Sequence, residues 1–145
     1  MIAAPCWLLV VAAASGHNAY ALHAAVGQHL PIHAGAGSKV LLASLPPEEV
    51  EKVLSGELKR FTDLTIVDPA ALRAEIERVR TRGWSRDGGE FAVSVNAYGA
   101  PIIDASGAVV AALSVPFLAG RDADYEERVR IVAVTTAIAI GGDLP

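Results

Sequence analysis

Apolar and polar positions alternate in blocks that read as strands, helices and turns along most of the chain. Trp7 to Ala13 is a short apolar run of the kind that forms a buried strand, with Asn18 to Ala25 as its hairpin partner across Ser15-Gly-His-Asn. A helix is predicted from Ser38, as N-cap, through Lys39 to Leu45. A second starts at Pro47, carries Glu48 and Glu49 in its first turn and stops at Gly56. The best-marked helix runs from Pro69 to Arg82, between an Asp68 N-cap and a Gly83 stop. Leu72, Ile76 and Val79 fall on its inner stripe, and Arg73, Glu75, Glu77, Arg78 and Arg80 are assigned to water. Residues 88 to 116 form two β-branched, apolar runs around Asp104-Ala-Ser-Gly107, the signature of a long hairpin. Asp124 to Ile140 is acidic at its start and apolar after Arg130, and its length without a breaker predicts a buried helix.

Strands, short helices, a long helix, further strands and a closing helix imply an α+β sandwich, an antiparallel sheet with helices segregated around it in a GAF-like or profilin-like layout. At 145 residues the chain is read as a single domain over 1–145, since a division would leave neither half a sufficient core. The apolar start also fits the h-region of a signal peptide. No Lys or Arg precedes it, however, and it is too short to span a bilayer, so the strand reading is preferred and no membrane association is expected. A net charge of −4 argues against a phosphate-binding surface on this chain. The single cysteine, Cys6, excludes an internal disulfide and suits a reducing cytoplasm.

Several motifs occur together. Val26-Gly-Gln-His-Leu-Pro-Ile-His-Ala34, Gly37-Ser-Lys-Val-Leu-Leu-Ala43, Leu45-Pro-Pro-Glu-Glu49, Phe61-Thr-Asp-Leu-Thr-Ile-Val-Asp68 and Arg80-Thr-Arg-Gly-Trp84 precede the hairpin. The hairpin itself contains Ala100-Pro-Ile-Ile-Asp-Ala-Ser-Gly-Ala-Val-Val-Ala-Ala-Leu-Ser-Val115. In this order, over about residues 25 to 142, they resemble the effector-binding domain of IclR-type transcriptional regulators, with one residue inserted in the Gly-Lys helix motif. The resemblance implies a domain that binds a small-molecule effector, an organic acid or aromatic metabolite, and assembles as a homodimer or homotetramer. It also implies DNA binding through a winged helix-turn-helix, which this chain does not contain in its reading. The first 45 residues hold one formally charged side chain, Lys39, and no amphipathic helix pair. A stand-alone GAF-like sensor, a dimerisation module and a small hydrolase-type enzyme are the alternatives.

The resemblance places the ligand against the loop that starts the Gly-Lys helix, at Gly35, Ala36, Gly37, Ser38 and Lys39. A helix start offers unpaired N–H groups and a positive dipole end to an anion. The same residues would also serve simply as a tight turn and a cap. Asp87, Ala97, Ser114 and Pro116 are the other positions it implies. Many members carry Cys where this chain has Ala97, and some carry Ser where it has Pro116, which makes the wall less polar here. A hydrogen bond to nearby backbone would account for Ser114, and a turn for Asp87. The site depends on the hairpin register. Pairing Ile103 with Ala108 sets Ala97 opposite Ser114, whereas a G1 bulge at Gly107 would pair Asp104 with Ala108 and set Ala97 opposite Val115. The resemblance favours the first, and it is adopted.

Catalytic and metal chemistry find little support. Cys6, Ser114, Asp87 and Glu90 are scattered, so no catalytic residue and no cofactor are assigned. His17, His23, His29 and His33 lack nearby carboxylates or cysteines, and Pro31 interrupts the only i, i+4 pair, so no metal site is assigned.

Overall fold

The computed structural model describes residues 7–15 and 24–145. Three layers result: three helices, a sheet, and one long helix. Strands β1 (Trp7–Leu9) and β2 (His29–Pro31) pair antiparallel as a small ribbon, with Leu8 opposite Leu30. Helices α1 (Ala36–Ser44), α2 (Pro47–Ser55) and α3 (Pro69–Arg82) follow. Strands β3 (Ser85–Gly88), β4 (Val95–Ile103) and β5 (Val109–Leu118) form an antiparallel sheet in that order, and α4 (Ala123–Gly142) closes the chain. The expected α+β sandwich of an antiparallel sheet flanked by helices is what the chain forms.

Local chemistry accounts for the elements. Asp68 accepts a hydrogen bond from Ala71 N–H at 3.0 Å, Pro69 supplies a ready-made first-turn φ, and Gly83 adopts the left-handed conformation at the other end, so α3 has the predicted bounds. Helix α2 also begins at Pro47 and ends at Gly56. Helix α1 starts earlier than predicted. Gly35, at φ 111°, is its N-cap, and Ser38 lies inside the helix, buried, with no capping role.

Helix α1 is the central rod. Val40, Leu42 and Ala43 pack with Val50, Val53 and Leu54 of α2 and Leu72, Ile76 and Val79 of α3, so its apolar residues are spent on both sides. The opposite face of the sheet carries Tyr98, Ala100, Ile102 and Phe117 against Ala133 and Ala137 of α4. Arg86 on β3 donates two hydrogen bonds to Glu126 of α4, at 2.8 and 2.9 Å, and Tyr98 Oη donates a third at 3.0 Å, which fixes the helix across the sheet.

Several expectations change. The first strand is shorter than predicted and exposed rather than buried; its partner among the described residues is β2, and the proposed partner at 18–25 falls mostly outside them. Helix α4 is not buried: its buried residues are small, Ala133, Ala137 and Gly141, while Ile131, Val132 and Ile138 face outward. Glu75, assigned to water, is buried. The long hairpin begins at Val95, not Gly88, because Ser85 to Gly88 forms a separate edge strand and residues 89–94 loop between them.

The register corrects the adopted pairing by two residues. At the tip, Asp104 N–H reaches Ala108 O at 3.0 Å and Gly107 has φ 85°, as the bulged alternative requires. A second irregularity lies between Ile102 and Ile103, whose partners are Ala111 and Val109. The two slips set Ala97 opposite Pro116 and Gly99 opposite Ser114. Because side chains alternate with period two, a shift of two leaves Ala97 and Ser114 on the same face.

Candidate effector site and the charged cluster beneath it

One face of the sheet meets the start of α1. Gly99 allows the closest approach, since a Cβ there would lie 2.7 Å from the carbonyl carbon and oxygen of Ala36. Gly37 faces Ser114 and Ala112, whose Cβ atoms would stand at contact distances of 3.5 and 3.8 Å from a Cβ at Gly37. Ser85 Oγ donates a short hydrogen bond to Ala36 O, which ties the first helical turn to β3. Cross-strand pairing sets Asp87 beside Ala97 and Ala97 beside Pro116, and Gly99 stands two residues from Ala97. Asp87, Ala97, Ser114 and Pro116 therefore share the face on which Gly35 to Ser38 rest.

The helix start supplies donors. With Gly35 as N-cap, Ala36, Gly37 and Ser38 have no intrahelical acceptor for their N–H groups, whereas Lys39 N–H is already bonded to Gly35 O at 3.1 Å. The backbone N–H of Lys39, expected among the free donors, is thus corrected. Ala97 is buried and apolar, while Ser114 and Pro116 are exposed. The hydroxyl of Ser114 is accordingly free of the desolvation demand expected of a buried group. The wall is open on the β5 side and closed on the β3 side.

Lys39 does something else. Its side chain runs inward, 1 % exposed, and Nζ donates to Arg86 O at 2.5 Å and to Glu75 Oε1 at 3.1 Å, and lies 2.9 Å from Glu90 Oε2. The contact with Glu90 is an ion pair without hydrogen-bond alignment, and neither Glu90 carboxylate oxygen has an aligned donor among the described residues. Arg78 and Arg82 of α3 reach Glu75 at 3.0 and 3.1 Å. Burial works to raise the Glu75 pKa, but Lys39, Arg78 and Arg82 together outweigh it and hold the group below its ordinary value. Asp87 Oδ1 accepts Glu90 N–H at 2.6 Å. Burial pushes both Asp87 and Glu90 upward, and their mutual proximity raises Glu90 further against the pull of Lys39.

The loop that carries Glu90 is anchored by hydroxyls. Thr62 Oγ1 donates to Gly89 O and Thr65 Oγ1 to Glu90 O, both at 2.6 Å, and Phe61 packs edge-on against Phe91 at 5.1 Å between ring centroids. His33 Nε2 meets Lys59 O at 2.8 Å and its ring lies 5.8 Å from that of Phe61. The Phe-Thr-Asp-Leu-Thr segment therefore holds the Gly89–Glu90 loop in place. Neither this anchoring nor the Lys39 cluster was recognised from the sequence. The only signal for the cluster was a lysine amid an apolar helix and an acid, Glu75, one residue before the buried stripe.

The chain is similar to known proteins in both sequence and fold. Residues 8–140 match the model of the bacterial transcriptional regulator IclR C-terminal family. The HTH-type transcriptional repressor AllR of Klebsiella pneumoniae is 38% identical over 99 residues, 68% of this chain and 36% of that protein. The chain thus spans about a third of the length of the curated relatives it matches. A transcriptional regulator from Rhodococcus sp. RHA1 superposes with a TM-score of 0.89 at 29% identity, covering 97% of this chain and 58% of that one. An IclR homologue from Microbacterium hydrocarbonoxydans, solved as a complex with 4-hydroxybenzoate, is 31% identical with a TM-score of 0.80 over 88% of this chain and 52% of its own.

Proposed function

The chain belongs to the IclR family of bacterial transcriptional regulators, matching its C-terminal region, and from that premise we propose that it is a single effector-binding and oligomerisation domain that senses a small carboxylic acid. Binding would control DNA recognition by a winged helix-turn-helix outside this chain, in the cytoplasm. The observation that carries the reading is the meeting of three helix N–H groups without an intrahelical acceptor, at Ala36, Gly37 and Ser38, with a sheet face holding Asp87, Ala97, Ser114 and Pro116. Helix N-termini attract carboxylates, and the apolar side chains of Ala97 and Pro116 in the wall favour an apolar body on that acid.

A thermal-shift titration with 4-hydroxybenzoate, the ligand held by the Microbacterium relative, tests the reading. Ligand should raise the melting temperature in proportion to the logarithm of its concentration once above Kd. Ser114→Ala should weaken that rise. Because Ser114 is exposed, the unliganded stability should change by no more than about 0.5 kcal/mol. An equal rise in both proteins would remove Ser114 from the site.

The outward face of α4 supports the oligomeric part of the proposal. Ile131, Val132 and Ile138, 46%, 53% and 68% exposed, form an apolar stripe of the sort a second copy of the chain would cover. Sedimentation equilibrium should show a homodimer or homotetramer, and Val132→Glu should move it toward monomer. A wild-type monomer at high concentration would refute this. No helix among the described residues is long and apolar enough to cross a membrane.

A further inference from the structure

The layer beneath the site holds three cations and three acids, but the cations are unevenly placed, with two of the three on Glu75 alone. Facing the cluster are Lys39 from α1, Glu75, Arg78 and Arg82 from α3, and Asp87 and Glu90 from β3 and the loop after it. Both arginines are engaged by Glu75. Arg86 turns its guanidinium to Glu126 on the other face, and His33 turns its Nε2 to Lys59 O. Lys39 is then the one cation in contact with Glu90 among the described residues, and Asp87 has a backbone N–H, not a cation, at 2.6 Å. Asp87 and Glu90 are 6% and 5% exposed. Two carboxylates so close in a water-poor layer resist being ionised together, and burial already favours the protonated form of each.

An acidic ligand on the N–H groups of Ala36, Gly37 and Ser38 would add a third negative charge to this face, on the side where Asp87 stands. The helix N–H groups stabilise the ligand's carboxylate in its ionised form. The charge that yields is therefore the one already strained by burial. We propose that a carboxylate effector enters this layer with uptake of one proton from solvent, held by the Asp87–Glu90 carboxyl pair. The only bond formed is O–H, and the buffer's acid supplies the proton. Lys39 and the Glu90 N–H keep the pair in place, so the proton is shared between the pair rather than owned by one oxygen. This inference rests on the effector-site reading above.

Isothermal titration of the 145-residue chain with 4-hydroxybenzoate, benzoate, acetate and pyruvate in phosphate and in Tris tests it. For whichever probe binds, the heat should differ between buffers by the equivalent of about one proton taken up per ligand. Affinity should rise as pH falls, approaching about tenfold per pH unit between the free and liganded titration points of the pair. Glu90→Gln should bind with uptake near zero. Carbon-detected carboxyl spectra of the wild type give a second reading: ligand should move the Asp87 and Glu90 signals toward their protonated positions. Saturable binding with buffer-independent heat overturns the proton linkage and leaves the effector site standing. Undiminished uptake in Glu90→Gln, or unmoved carboxyl signals, also overturns the linkage. No saturable heat with any of the four acids overturns the effector-site reading together with it.

Discussion

Lys39→Met is expected to destabilise the domain by about 3–5 kcal/mol, the usual consequence of removing one partner from a buried ion pair. The side chain it replaces is 1% exposed, hydrogen-bonded to Glu75 and Arg86 O and ion-paired with Glu90. Methionine fills a similar volume, so the loss is electrostatic and not a cavity. Glu75 keeps Arg78 and Arg82 and remains neutralised. Glu90 does not: its carboxylate would be buried with no cation in contact among the described residues.

That asymmetry makes the prediction specific. Adding Glu90→Gln to Lys39→Met should recover most of the lost stability, whereas adding Glu75→Gln should recover little. Urea denaturation of these proteins together with the Glu90→Gln and Glu75→Gln single variants reads the coupling directly. pH provides an independent check. A carboxyl whose folded-state pKa is raised contributes stability below its unfolded pKa and loses it as pH rises through the folded value. Glu90 is such a group, and without Lys39 its raised position moves further up. The Lys39→Met defect should therefore be largest at neutral pH and shrink as the solution is acidified toward the carboxylate range. A defect that is constant with pH would mean that packing, not charge, is what Lys39 provides.

Helix limits were readable where a single residue decides them. Asp68, Pro69 and Gly83 bound α3 because each acts on its own neighbours, and the same is true of Pro47 and Gly56 for α2. Helix α1 starts ahead of the Ser38 cap that the sequence suggests, since Gly35 caps by backbone conformation and offers no side-chain signal. The burial of Glu75 could not be read from α3 alone. It is set by Lys39, 36 residues away, turning inward from another helix. Likewise α4 reads as buried because its apolar residues are many, but its fully buried residues are the small Ala133, Ala137 and Gly141, while Tyr125, Val129 and Val134 are only partly covered by the sheet and Ile131, Val132 and Ile138 face outward. Motif order carried the family, which the match over 8–140 bears out.

The shared face of Ala97 and Ser114 outlasts the correction of their pairing. One slip comes from the bulge at Gly107 and another from the irregularity beside Ile102, and neither is forced by composition. A single slip would have turned Ser114 to the α4 side. Two restore its face, so Ala97 and Ser114 still look toward α1 although they are not partners.

Gly99, now opposite Ser114, gives the last and most direct test of that face. Gly99→Ala is expected to destabilise the domain by about 1–3 kcal/mol or more, as overpacking does, and to abolish effector binding. The added carbon would lie 2.7 Å from the Ala36 carbonyl and 2.9 Å from Gly37 N. These are backbone atoms of a helix pinned by Ser85 and by Lys39, so no side chain can rotate away. The start of α1 must lift from the sheet, and the N–H groups of Ala36, Gly37 and Ser38 lose their aim. Gly37→Ala is the matched control. Its Cβ meets only Ser114 and Ala112 Cβ atoms at 3.5 and 3.8 Å, ordinary contact distances, and alanine favours a helix over glycine by about 1 kcal/mol. That variant should melt at or above the wild-type temperature, yet bind the effector more weakly, because the methyl occupies the gap between helix and β5. Calorimetric melting with and without ligand distinguishes the two glycines. If Gly99→Ala keeps both wild-type stability and wild-type binding, α1 does not rest on Gly99 and the helix start is not the floor of the site.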